Sequence, residues 1–207
     1  MENKNGVLVG LAAILLLSSF KSSETGGEET PTNTNNSATN GTSFIGKTNL
    51  AKGLRNNNPL NIHTSSRQYK GKLKPVEKDS DGKYLERFET FEHGLAAAIE
   101  HLQKRYFGGE LGALKNCYGW DMPAKYKRDN LLKIIYTWVC GSNPSAYIEF
   151  VERTTGFTRT QTLDLNDNQT LSVLIYAMSL YECGTQYKDS VLSPSKFQKY
   201  FQTALTL

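Results

Sequence analysis

Glu182 is the residue whose type and spacing best suit proton transfer. It continues an apolar stripe of Leu171, Leu174, Ile175 and Met178, so at helical periodicity its carboxylate points to the core side, close to the helix end marked by Gly184. Burial and the negative end of the helix dipole both raise a carboxyl pKa, which makes a neutral acid at neutral pH feasible. Cleavage of a glycosidic bond needs that species, because the leaving oxygen must be protonated as the bond breaks. The same position also suits a carboxylate that reaches solvent at a helix terminus. A second catalytic carboxylate would come from Glu86, Glu89 or Glu92. On a strand, Glu86 and Phe88 share one face while Glu89 and Phe91 approach the other, so the three cannot all meet one cleft. Cysteine chemistry is the rival arrangement. Cys183 adjoins Glu182, and His63 or His93 would be its base, yet no local signature of a nucleophilic cysteine surrounds them.

The segment from Gly53 to His63, GLRNNNPLNIH, concentrates Arg55, Asn56, Asn57, Asn58, Pro59 and Asn61. Each Asn amide offers two donors and an acceptor, a set that matches the paired hydroxyl and acetamido groups of a polysaccharide. A turn that caps a helix would use the same residue types. The segment holds no acid or base of the kind glycoside cleavage needs, so its expected part is to position substrate.

These residues need elements to hold them. Lys72 to Val76 and Lys83 to Phe88 flank Asp79, Ser80, Asp81 and Gly82, and the Asp-Gly pair predicts a hairpin. The glycine of that turn falls too early for a calcium loop and no glutamate closes it. From His93 the pattern is helical, with Leu95, Ile99, Leu102 and Tyr106 on one face. Asp129 is placed to cap a helix holding Leu131, Ile134, Ile135 and Trp138. Asn143 and Pro144 open another through Tyr147, Phe150 and Val151, ended by Gly156. The Glu182 helix starts near Asn168, and Ser193 and Pro194 open a last one with Phe197, Phe201 and Leu205. The expected fold is α+β and mainly helical, with one small β-hairpin.

A chain of 207 residues accommodates one ordinary domain plus a tail, or two small domains. Residues 6–20, GVLVGLAAILLLSSF, form an apolar run of signal-peptide or short-anchor length. Residues 21–52, rich in Thr, Asn, Ser and Gly with few large apolar side chains, read as a disordered linker. The folded domain is therefore expected over 53–207, attached to a membrane or exported to the cell envelope. The net charge of +4 falls on that domain, which carries 20 basic against 16 acidic residues. Such an excess suits approach to an anionic polymer and equally suits solubility. The cluster Lys70, Lys72, Lys74 and Lys78 lacks interleaved aromatic residues, so no nucleic-acid partner is expected. Cys117, Cys140 and Cys183 imply no disulfide framework, and three histidines without HExxH or finger spacing give no zinc site. No metal or organic cofactor is expected.

A family resemblance runs through the domain. GLRNNNPLNI at 53–62, Phe88 and Phe91 followed by GLAAAI at 94–99, IIYTWV at 134–139, YIEFVERTTGF at 147–157 and AMSLYECG at 177–184 occur in that order. Together they resemble the phage and prophage virion protein family typified by RNNNP(G/L)NI and often labelled structural or lytic protein. The chain departs from that pattern at Tyr69, Lys70 and Gly71, where the family has Trp-x-Gly. It departs again at Trp138, Val139 and Cys140, where the family has Trp-Ala-Pro, and at Cys183, where it has Asn. The resemblance implies a lysozyme-like domain that degrades peptidoglycan as a muramidase or lytic transglycosylase, with the virion as an alternative location. The stretch LIYAMSLYECG at 174–184 is similar to the helix of soluble lytic transglycosylases that ends in a catalytic glutamate. There the hairpin follows the helix, whereas here it precedes it, which suggests a circularly permuted arrangement. On this reading Glu182 is the acid, Glu89 or Glu86 the second carboxylate, and Arg55, Asn57, Asn58, Asn61, Tyr84 and Tyr147 hold the glycan. It requires the Glu182 carboxylate to lie within ~10 Å of the cleft beside Asn61, since acid catalysis works at hydrogen-bond reach. The competing class is a non-catalytic wall-binding or virion structural module.

Overall fold

A computed structural model of the chain describes residues 41–110, 113–117, 120–122, 127–140 and 142–207. The apolar run at 6–20 and the linker positions 21–40 lie outside the described residues. The described part is mixed, about 46% helical, with small antiparallel two-stranded sheets. Among the described residues no helix is long and apolar enough to cross a membrane.

A short helix, α1 (Lys52–Arg55), leads into the Asn-rich segment. β1 (Lys72–Leu73) then pairs with β2 (Arg87–Phe88), Lys72 opposite Phe88 and Leu73 opposite Arg87. They form the base of the hairpin that the Asp-Gly pair predicts. At its tip the Asp79 carboxylate accepts the backbone N–H groups of Asp81 and Lys83, both at 2.9 Å. Gly82 turns the chain with a φ of 78°, a conformation that favours glycine.

Thr90 caps α2 (Phe91–Glu100), its hydroxyl oxygen accepting the His93 N–H at 3.2 Å. The helix starts two residues before the expected His93 and then changes pitch, continuing as a π-helix over His101–Phe107. Its last turn closes with the Gly108 N–H donating to the Gln103 carbonyl at 2.7 Å, an i→i+5 bond. A second antiparallel pair, β3 (Leu114–Cys117) and β4 (Trp120–Met122), stands where the sequence reading places no strand. Asn130, rather than Asp129, caps α3 (Leu131–Trp138), accepting the Lys133 N–H at 3.0 Å. Asp129 pairs instead with the Lys133 ammonium at 2.7 Å. α4 (Ser145–Thr155) ends at Gly156 with a φ of 76°, and Asp167 caps α5 (Asn168–Cys183). α6 (Pro194–Ala204) closes the chain.

α5 is the axis of the domain. From Leu171 to Leu180 every residue except Val173 is buried, and α1, α2, α4 and α6 pack around it. A helix buried on nearly all sides needs neighbours on nearly all sides, which is why four helices pack on it beside so little sheet. The folded unit also begins before Gly53. Phe44 and Leu50, within the expected linker, are buried in this core, with the Phe44 ring 5.3 Å from that of Phe91. Glu92 fastens this strap by accepting the Thr42 N–H on both carboxylate oxygens, at 3.1 and 2.9 Å.

The Asn-rich segment ties these pieces together. The Asn57 amide donates to the Phe88 and Glu89 carbonyls at 3.0 and 3.1 Å and to the Ser43 hydroxyl at 3.1 Å. Its carbonyl accepts the Phe44 N–H at 2.8 Å. Asn58 donates to the Ile62 and Glu86 carbonyls at 2.9 and 3.0 Å and accepts the Ile62 N–H at 2.9 Å. Both are fully buried, and Asn57 holds a φ of 53° that asparagine tolerates better than most residues. α2 approaches so closely that a methyl at Gly94 would overlap the Asn57 carbonyl. Asn57→Ala should therefore lower the unfolding free energy in urea by about 3 kcal/mol, since it strands the buried Phe44 N–H and two carbonyls. Asn57→Gly should recover about 1 kcal/mol of this by relieving the backbone. A loss below about 0.5 kcal/mol for both would show that the amide hub does not hold the fold.

Candidate active site

Glu182 sits one residue before the end of α5, where the helix leaves the core and meets a cleft of about 810 Å³. Three donors converge on its partly buried carboxylate. Trp138 Nε1, from the last residue of α3, donates to Oε1 at 3.0 Å. Asn61 Nδ2 donates to Oε2 at 3.0 Å, and the Tyr147 hydroxyl of α4, shared with the Met178 carbonyl at 3.5 Å, is the third. Burial raises the Glu182 pKa above its ordinary value, and the three donors, which favour the ionised form, only partly offset that rise. The Tyr147 hydroxyl, buried and beside this carboxylate, is pushed well above the usual phenol range and stays protonated. The result is an acid that holds its proton longer than a surface glutamate, surrounded by groups that stabilise the carboxylate once the proton leaves.

The expected neighbour of Glu182 is present. The carboxylate is expected near Asn61, and the two side chains are in direct hydrogen bond. Asn61 reaches it because its backbone takes a φ of 51° and because Gly53 leaves room. A methyl at Gly53 would stand 2.7 Å from Asn61 Oδ1 and 2.9 Å from the Cys183 sulfur. Asn61 thus contacts the acid itself as well as the cleft.

Two other walls complete the cleft. On one, Tyr181 lies 41% exposed and stacks on Tyr147 with ring centroids 3.8 Å apart. An exposed ring backed by a second ring is a platform for the apolar face of a sugar. On the other, the hairpin tip brings Asp79 to His63, with Nε2 and Oδ2 2.6 Å apart. The π-helix supplies His101, Arg105 and Tyr106.

The structure disperses the other candidates. Glu86 is fully buried, its Oε1 accepting the Lys72 ammonium at 2.8 Å and the Ser65 N–H at 3.0 Å. Glu89 is exposed beside β2. Neither lines the Glu182 cleft. Arg55 pairs with Glu77 at 2.7 Å, and Asn57 and Asn58 spend their amides inside the protein, as described above. Tyr84 is 44% exposed outside the cleft, with the Lys78 ammonium 4.7 Å from its ring centre. Of the six expected glycan contacts, Asn61 and Tyr147 alone line the cleft. Cys183 is a free, buried thiol donating to the Pro59 carbonyl at 3.4 Å, and burial pushes its pKa far up, which removes the thiolate that nucleophilic attack would need. Cys140 takes part in a disulfide, a bond the cysteine spacing does not announce.

Trp138, Tyr181, Asp79 and Arg105 were not among the residues that the sequence assigns to the site. Trp138 reads there as a core position of an amphipathic helix, and Tyr181 as a neighbour of the acid with no signal of its own. The Asp79 contact with His63 closes across a hairpin tip.

The protonation of Glu182 is open to direct titration. The carbon-13 resonance of its carboxyl should titrate above the ordinary 4.5. Trp138→Phe removes a donor to the ionised form, so its midpoint should move further up. A midpoint that stays or falls in the variant would contradict the assigned balance. Comparison of the chain with protein-family models and with curated proteins gives no match.

Proposed function

We propose that this chain cleaves the glycan strand of peptidoglycan, with Glu182 as the proton donor. The observation that carries the reading is a carboxyl raised by burial, ringed by three donors and opening on a cleft large enough for several sugar units. The ordered motifs from GLRNNNPLNI to AMSLYECG support it, since they resemble a lysozyme-like phage and prophage family. A circularly permuted lysozyme-like fold is the architecture this implies. Residues 6–20 would hold the enzyme at a membrane or direct its export.

The chemistry follows from the geometry. Neutral Glu182 gives its proton to the glycosidic oxygen while the bond from that oxygen to the anomeric carbon breaks. Positive charge develops on the sugar ring, and Trp138, Asn61 and Tyr147 stabilise the carboxylate left behind. In a lytic transglycosylase this carboxylate then takes a proton from the sugar's own hydroxyl, whose oxygen closes on the anomeric carbon as an anhydro ring. The acid is regenerated without water. One acid suffices for that route, and Glu182 is the carboxyl whose burial suits it, while Asp79 on the same cleft is engaged by His63, so we favour transglycosylation. The His63–Asp79 pair is the observation favouring hydrolysis, because an imidazole at the cleft edge could take a proton from attacking water.

The full chain incubated with purified peptidoglycan, with products read by mass spectrometry, tests this. Wild-type protein should release anhydro-ended fragments, and Glu182→Gln should lower release by at least ~10²-fold. Reducing ends, abolished by His63→Gln, would assign hydrolysis instead. Binding without release by either protein would leave a wall-binding module and overturn the enzymatic reading.

A further inference from the structure

Arg105 is a cation in the cleft wall without a counter-ion among the described residues. Arg55, Arg67 and Arg159 all pair with carboxylates, at 2.7, 2.9 and 2.7 Å in their shortest contacts. Among the described residues the contacts of Arg105 are with uncharged groups. Its Nη1 lies 3.4 Å from His101 Nδ1, and it also hydrogen-bonds the Tyr69 hydroxyl, which is itself 3.2 Å from the same ring nitrogen. Burial lowers the His101 pKa to about 3, so the imidazole is uncharged at neutral pH. Burial likewise raises the Tyr69 hydroxyl above its usual value. The guanidinium is thus oriented by two neutral partners that leave its charge intact.

The π-helix accounts for this placement. An i→i+5 repeat sets residue 106 over residue 101, with Arg105 beside them, and all three reach the cleft. An α-helix would turn Tyr106 away from His101. π-Helical insertions cost regular hydrogen bonding and concentrate at functional sites. Of the other basic side chains on the cleft, the Lys52 ammonium donates to the Lys78 carbonyl at 2.9 Å, His63 is engaged by Asp79, and Lys83 stands exposed at the hairpin tip.

We propose that Arg105 is a specificity-determining residue that receives the lactyl carboxylate of a glycan strand stripped of its stem peptides, the form in which that carboxyl is free rather than amide-bound. This rests on the glycan-cleaving reading and narrows it, because it selects an acidic muramic-acid strand over a neutral chain of N-acetylglucosamine. A guanidinium presents a planar fork that matches a carboxylate with two parallel hydrogen bonds.

Binding by the full chain carrying Glu182→Gln is compared for two tetrasaccharides that differ only in their acidic O-lactyl groups. One alternates N-acetylglucosamine and N-acetylmuramic acid, and the other is tetra-N-acetylchitotetraose. The acidic sugar should bind about tenfold more tightly or better. Adding Arg105→Gln should bring the ratio near one, while Arg105→Lys, which keeps charge but not the fork, should give an intermediate ratio. Amide spectra confirm that each variant is folded. Equal affinities for the two sugars, or a preference that survives Arg105→Gln, would overturn the proposal. If the preference depends on Arg105 but wild-type protein cleaves neither sugar nor peptidoglycan, the subsite stands and the catalytic reading falls.

Discussion

The desolvation of one carboxylate is the constraint around which the domain is arranged. Glu182 lies where α5, buried along most of its length, comes out of the core, so its surroundings are set by the elements packed on that helix. An ionised carboxylate there would be expensive without donors. Three elements provide them: Trp138 from the end of α3, Tyr147 from α4 and Asn61 from the loop after α1. Burial prevails over those donors, and the acid is held above its ordinary range. Removing any of these elements would change both the packing of α5 and the protonation of the group at its end.

The Asn-rich segment divides its labour in the same terms. Asn57 and Asn58 are consumed as internal ties between the N-terminal strap, the hairpin and the start of α2. Asn61, three positions on, faces the cleft. The split has a backbone cause, because left-handed conformations at Asn57 and Asn61 reverse the chain twice within five residues. A run of amides that looks like one binding surface is therefore mostly scaffold, with a single member delivered to the acid.

Much of the fold is legible in the sequence because periodicity and caps are local signals. The stripe from Leu171 to Glu182, the Pro194 start of α6, Gly156 at the end of α4 and the Asp-Gly hairpin all read directly. Phe44 does not, since a single aromatic in a polar stretch looks like linker until its partners Phe91 and Tyr200 are known. The π-helix is equally silent, because HLQKRYF keeps residue types that suit an α-helix. At the site, the place of Glu182 at the core side of a helix end is legible from spacing on its own helix. Its partners were not, as the Asn61 contact spans 121 residues and the Trp138 contact 44.

The central claim is that Glu182 protonates a glycosidic oxygen in this cleft. A crystal structure of the Glu182→Gln protein with a muramic-acid tetrasaccharide tests it most directly. The account predicts a glycosidic oxygen within about 3.2 Å of the residue 182 side chain, with sugar rings laid against Tyr181. A glycan bound in the cleft with every glycosidic oxygen beyond reach of that side chain, or bound elsewhere on the domain, would contradict it.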